Sequence, residues 1–189
     1  MPASFPDAVK IFTTKVNHVD RYDAAHINDL QAEVSAIEQS LINATIGYIT
    51  SDKGYVASGE RDMYTLTVPA DMLDREGRLL QIRGLYTFAN NANSKRLRVF
   101  FGSTVIMDQI AATHDATRSP VSFDLYVQRI AANQQRAWGT LCKTTYVPII
   151  WYSEPAEVDS APITLAIKGT GVSNNDLVLK ALHVSRLPT

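Results

Sequence analysis

Two hydrophobic periods divide the chain. Near the N-terminus Ile27, Leu30, Val34, Ile37 and Leu41 recur at alternating gaps of three and four. That narrow seam is the a/d repeat of a coiled coil, not the broader stripe of a helix lying on its own core. From Met63 onward the period falls to two. Tyr64–Val68, Leu80 and Ile82, Tyr86 and Phe88, and Leu97, Val99 and Phe101 each alternate with polar or small residues. Val121–Val127 carries apolar groups at every odd position, and Ile163, Leu165, Ile167 and the run Leu177–Leu187 follow. Turn signals separate these runs at 74–77, 90–93, 132–133 and 169–175. Roughly eight short alternating strands with such punctuation predict an antiparallel β-sandwich of jelly-roll type.

The expected organisation has four parts. Residues 1–19 read as an extended arm with two early prolines and apolar groups at Phe5, Val9, Ile11, Phe12 and Val16. The arm either docks on a partner or folds over its own domain. Residues 20–47 read as an oligomerisation helix, with Asp20 as N-cap, Asp23 at the positive end of the helix dipole and Gly47 as the stop. Residues 48–62 are polar and glycine-punctuated, and read as a linker. Residues 63–189 form the sandwich. Within the seam, Ile27 and Val34 at a with Leu30 at d favour two strands, whereas Leu41 at a with Ile37 at d favours three or four. The seam alone leaves dimer and trimer open, and its partners are copies of itself.

Composition narrows the classes. The chain has 189 residues, of which 46% are hydrophobic, and a net charge of -1. That balance lacks the basic face of a phosphate-neutralising nucleic-acid binder. No apolar run approaches the ~20 residues of a membrane span. The first residues lack the basic start and apolar core of a signal peptide, so use without secretion is expected. Cys142, the single cysteine, reads as a buried, inert thiol.

One stretch is more specific. Asn17-His18-Val19-Asp20, then Ala25-His26-Ile27-Asn28-Asp29-Leu30-Gln31-Ala32-Glu33-Val34 and Ile37-Glu38, resembles an N-terminal helix of tailed-bacteriophage virion proteins. The stretch Thr87–Gly102 looks like a strand-turn-strand of their β-sandwich domains. The ending Gly169-Thr170-Gly171, Asn174-Asn175-Asp176 and Leu187-Pro188 is similar too. The resemblance implies a homotrimeric appendage with no catalytic residue. It would be a capsid decoration (cement) protein, or else a head, neck or tail fibre component. The expected function is a trimeric decoration protein reinforcing the head. Its partners would be itself and the major capsid protein or other virion proteins, and its location the virion, assembled in the host bacterial cytoplasm. The alternative is a fibre or receptor-binding tip recognising host surface glycan.

Candidate chemistry is sparse, and no enzyme activity, metal or cofactor is expected. His18, His26, His114 and His183 lack ligand spacing. Glu154, Glu157 and Asp159 share one acidic loop, read as a solvated tip rather than a glycosidase pair. Asn90, Asn91 and Asn93 read as turn formers tolerant of left-handed backbone. Lys95, Arg96 and Arg98 read as a solvent face or a contact for an acidic partner. Trp138, Trp151 and Tyr152 read as core or interface residues, with a sugar-stacking platform as the functional alternative. The apolar run 147–152, interrupted by Pro148, reads as an edge strand feeding a protruding loop.

Overall fold

The structure, a computed structural model, describes residues 28–35, 37, 45–56, 59–70, 72–111, 120–143 and 149–187. The chain divides into two units, Met1–Ala44 and Thr45–Thr189. In the first unit residues 28–35 and 37 are helical. Leu30, Val34 and Ile37 of the seam are 57%, 46% and 42% exposed. Ile27 and Leu41, and the arm residues Phe5, Val9, Ile11, Phe12 and Val16, lie outside the described residues.

The second unit is mainly β and wholly antiparallel. Its strands are β1 (Thr45–Tyr48), β2 (Lys53–Gly54), β3 (Gly59–Val68), β4 (Leu79–Phe88), β5 (Lys95–Phe101), β6 (Thr104–Ala111), β7 (Val121–Ala131), β8 (Gln134–Lys143), β9 (Ile149–Ser153), β10 (Ile163–Gly171) and β11 (Leu177–Leu187). One sheet runs β1-β11-β4-β7-β8-β9, with β2 also on β11, and the other runs β3-β10-β5-β6. Where eight strands of a jelly roll are expected, the described residues form eleven, split seven and four. The sandwich itself matches the period-two reading.

Two expected boundaries are corrected. The helix does not reach Gly47, and 48–62 is not a linker. Gly47 lies in β1 opposite Val184, and Ile46 packs on the core. Tyr55 is buried, and its one hydroxyl proton is shared between the carbonyls of Gly59 (2.6 Å) and Gly171 (3.0 Å). The edge of β11 supplies the ladder partners that these short polar stretches lack locally.

The core fills the space between the sheets. Leu80, Ile82 and Tyr86 of β4, Leu97, Val99 and Phe101 of β5, Leu165 and Ile167 of β10, and Val184 of β11 are all at 0% exposure. Tyr86 meets Phe88 edge-on, with ring centroids 5.1 Å apart. β7 and β8 approach closely at Gly139, where an added Cβ would stand 2.3 Å from the Asp124 carbonyl oxygen and 2.7 Å from the Leu125 Cα. Backbone cannot move aside as a flexible side chain can. Gly139→Ala is expected to cost about 3 kcal/mol, read as a lower urea midpoint. An unchanged midpoint would show that the strands tolerate the crowding.

At one end of the sandwich, Asp176 is fully buried. It accepts from the Asn91 and Asn93 side-chain amides at 2.8 and 3.0 Å. The backbone N–H groups of Val172 and Ser173 also donate to it, both at 2.8 Å. Lys95, also at 0% exposure, donates to the carbonyls of Asn91 (3.0 Å) and Asn93 (2.8 Å). The 90–93 turn therefore uses its amides as clamps. The left-handed asparagines lie elsewhere, at Asn133 and Asn175 (φ 55° and 59°).

Candidate functional site

The antiparallel register writes a grid on the outer face of the seven-stranded sheet. Gln81, Tyr126, Trp138 and Tyr152 stand opposite one another on β4, β7, β8 and β9. The next row is His183, Arg83, Asp124, Thr140 and Ile150. The third is Ala181, Leu85, Ser122 and Cys142. Alternation places all of these on one face, because their neighbours Ile82, Leu125, Ala137 and Leu141 point into the core.

The first row is aromatic. Tyr126 and Trp138 stack, with centroids 5.7 Å apart and planes inclined by 22°. Tyr152 follows on the edge strand and is 60% exposed. Its hydroxyl donates to Glu154 at 2.5 Å. That bond raises the phenol above its ordinary value.

Asp124 is the hub of the polar rows. Gln81 Nε2 donates to its Oδ1 at 3.0 Å, Tyr126 Oη to its Oδ2 at 3.1 Å and Arg83 Nε to its Oδ2 at 3.2 Å. The Gln81 amide also reaches Tyr126 Oη at 3.0 Å. Beside this hub lies a shallow pocket of about 340 Å³. Its walls include Arg83, Asp124 and His183, and its room comes from the small side chains of Ser122, Cys142 and Ala181.

No protein-family model matches the chain, and no curated protein matches it. Among solved structures it is similar to the CBM2 module of the evolved Dit of Lactobacillus casei BL23 phage J-1. The TM-score is 0.37 and the identity 8%, over 64% of this chain and 66% of that chain.

The remaining candidates fall in different places. Cys142 is exposed rather than buried, because its position in β8 faces outward. Trp151 points inward and packs against the core, apart from Trp138. The acidic loop is not a solvated tip. Asp159 is buried, receiving the Asn133 N–H at 2.8 Å and the Gln135 amide, and pairing with Arg129 at 2.9 Å. Glu157 accepts from the backbone and hydroxyl of Ser103 at 2.7 and 2.9 Å. The loop is thus stapled down, and β9 is an edge strand among the described residues.

Arg96 pairs with Asp108 and Arg98 with Glu60, so acidic partners for this basic pair lie within the chain. The Arg96 hydrogen bond holds the Asp108 carboxyl below its ordinary range. Lys168 pairs with Asp62 on the same sheet. The outer face of the four-stranded sheet carries this ionic lattice. His18, His26 and His114 lie outside the described residues.

Proposed function

We propose that this protein is a non-enzymatic bacteriophage virion component, a homotrimeric decoration protein that reinforces the capsid. The observation that carries the reading is the exposed apolar seam of Leu30, Val34 and Ile37 on a helix that precedes the sandwich in the chain. An a/d seam is satisfied by further copies of itself. The sequence resemblance supplies the number of copies and the virion context.

The mechanism follows from valency. Three joined chains present three arms, each bearing Phe5, Val9, Ile11, Phe12 and Val16. One trimer on a local threefold then bridges three capsid subunits. Weak contacts act together because the second and third are intramolecular. Such a clamp resists the internal pressure of packaged DNA without any chemistry. A structural use of the acidic loop supports this reading: Glu154 accepts from the Tyr152 hydroxyl and Glu157 from the Ser103 backbone.

Light scattering on the purified protein, alongside binding to empty capsids, tests the reading. The expected mass is that of three chains, with capsid binding. Deleting residues 1–19 is expected to abolish capsid binding and leave the trimer intact. A monomer overturns the seam argument. A trimer that ignores capsids and binds host cells overturns decoration in favour of a fibre or receptor-binding tip.

A further inference from the structure

We propose that the outer face of the seven-stranded sheet binds an uncharged glycan, with Tyr126, Trp138 and Tyr152 as its sugar-contacting rail and Asp124 and Arg83 as its hydroxyl-reading pair. The inference rests on this face alone and holds wherever the protein sits in a virion.

The first support is the in-register aromatic row on three adjacent strands. Strand spacing makes that row roughly 10 Å from the first backbone to the third, enough for adjoining pyranose rings. Aromatic ring faces carry negative potential, which attracts the positively polarised C–H groups on one side of a pyranose. Tyr126 and Trp138 each turn one face to the other, so the contact falls on their opposite faces and on Tyr152. Core packing does not account for Tyr152, which is 60% exposed beyond Trp138.

The second support is the polar hub beside the rail. Asp124 Oδ2 accepts from Gln81, Arg83 and Tyr126, whereas Oδ1 accepts from Gln81 alone, so the acceptor capacity that remains is on Oδ1. Arg83 is 62% exposed at its side chain, and its Nε is engaged by Asp124. Carboxylate and guanidinium held side by side present an acceptor and a donor at the separation of neighbouring hydroxyls. The pocket lies directly against them, and its 340 Å³ falls at the lower end of the about 300–1,000 Å³ range of ligand pockets.

Charge complementarity selects the occupant. Arg83 is neutralised by Asp124, so the hub offers neither an unpaired cation for phosphate nor an unpaired anion for a basic peptide. The two charges beside the rail, Arg136 and Glu154, are of opposite sign and both bond the Tyr152 hydroxyl. An apolar protein surface laid over the hub would desolvate the ion pair with nothing returned for its remaining hydrogen-bonding capacity. A neutral polyol satisfies both halves of the face.

The test applies the full chain to an immobilised series of neutral hexose and N-acetylhexosamine oligosaccharides. Wild type is expected to bind at least one of them. Tyr152→Ala and Arg83→Ala, both at exposed positions that leave the core untouched, are expected to weaken that binding about tenfold or more. Their unfolding midpoints should match wild type. Absence of binding by wild type at millimolar oligosaccharide overturns the proposal. So does binding that survives both substitutions. If wild type binds no sugar and Tyr152→Ala lowers the assembly mass, the face is an interface between copies instead. Each of these failures leaves the proposed function standing, because that reading is argued from the seam at residues 27–41 and not from this face.

Discussion

Ile37→Asp is expected to convert the proposed trimer into single chains. Ile37 lies in the described helix and is 42% exposed on the lone chain, so the chain's own fold does not depend on its burial. In the proposed trimer the same position would enter the seam. The substitution puts three carboxylates into one apolar layer, each an uncompensated buried charge at about 3 kcal/mol or more, and they repel one another. Association also weakens with dilution, so the shift should be plain at low micromolar protein. Light scattering reads the outcome as a fall from three chains to one. Ile37→Leu, which keeps the layer apolar, should retain the trimer. An unchanged mass for Ile37→Asp would remove the coiled coil from the account.

Asp176→Ala is expected to be the most damaging single change within the sandwich. The side chain gathers two amide donors and two backbone N–H groups at the 90–93 and 172–176 turns. It also supplies the nearby charge that opposes the effect of burial on Lys95, whose pKa that burial lowers. Removing it strands those donors and a buried ammonium group, a loss of about 3–5 kcal/mol. Urea unfolding measures it as a large drop in midpoint.

The same residue sets an acid limit. Burial alone would raise its carboxyl, but hydrogen bonds from Asn91, Ser173, Val172 and Asn93 outweigh that and hold it down at about 2. A folded value below the ordinary 3.8 means that the unfolded chain takes up the proton first as pH falls. The stabilisation is complete above about pH 4 and drains away between about pH 4 and pH 2. Asp176→Asn should be less stable at neutral pH and should lose less over that window. Parallel pH dependences for the two proteins would assign the acid sensitivity elsewhere.

The parts of the fold legible in the sequence are those where alternation and burial coincide. Leu97, Val99 and Phe101 read as a strand and are fully buried in β5. Val121–Val127 reads as the cleanest strand and is the alternating part of β7. β1 and β2 escaped because they are four and two residues long, and the edge of a distant strand, rather than any local period, makes them strands. β8 escaped because its inward positions include Ala137 and Gly139, too small to register as a hydrophobic beat. Lys95 escaped because a lysine beside a polar turn reads as solvated, and its carbonyl acceptors come into view only when the turn closes.

The aromatic rail shows the same boundary. Trp138 and Tyr152 read as candidates in the sequence, whereas Tyr126 sits in a well-formed strand and gives no such signal. Trp151, the nearer neighbour of Tyr152 in sequence, proved to face the core. Pairing register, a long-range property, decides which aromatics share a face.

The stapled loop after β9 has a consequence for how this surface can change. β9 is five residues long, carries the exposed Ile149 and Ile150, and ends in the loop tied down by Asp159. A short strand at a sheet margin limits edge-to-edge aggregation. Lengthening the rail outward past Tyr152 would enlarge that sticky margin, whereas the small residues Ser122, Cys142 and Ala181 sit over the sheet's interior strands. If this face binds the proposed glycan, adaptation to a new one has a safe direction, inward across β7 and β4, and a hazardous one, where each gain in grip is matched by a loss of solubility.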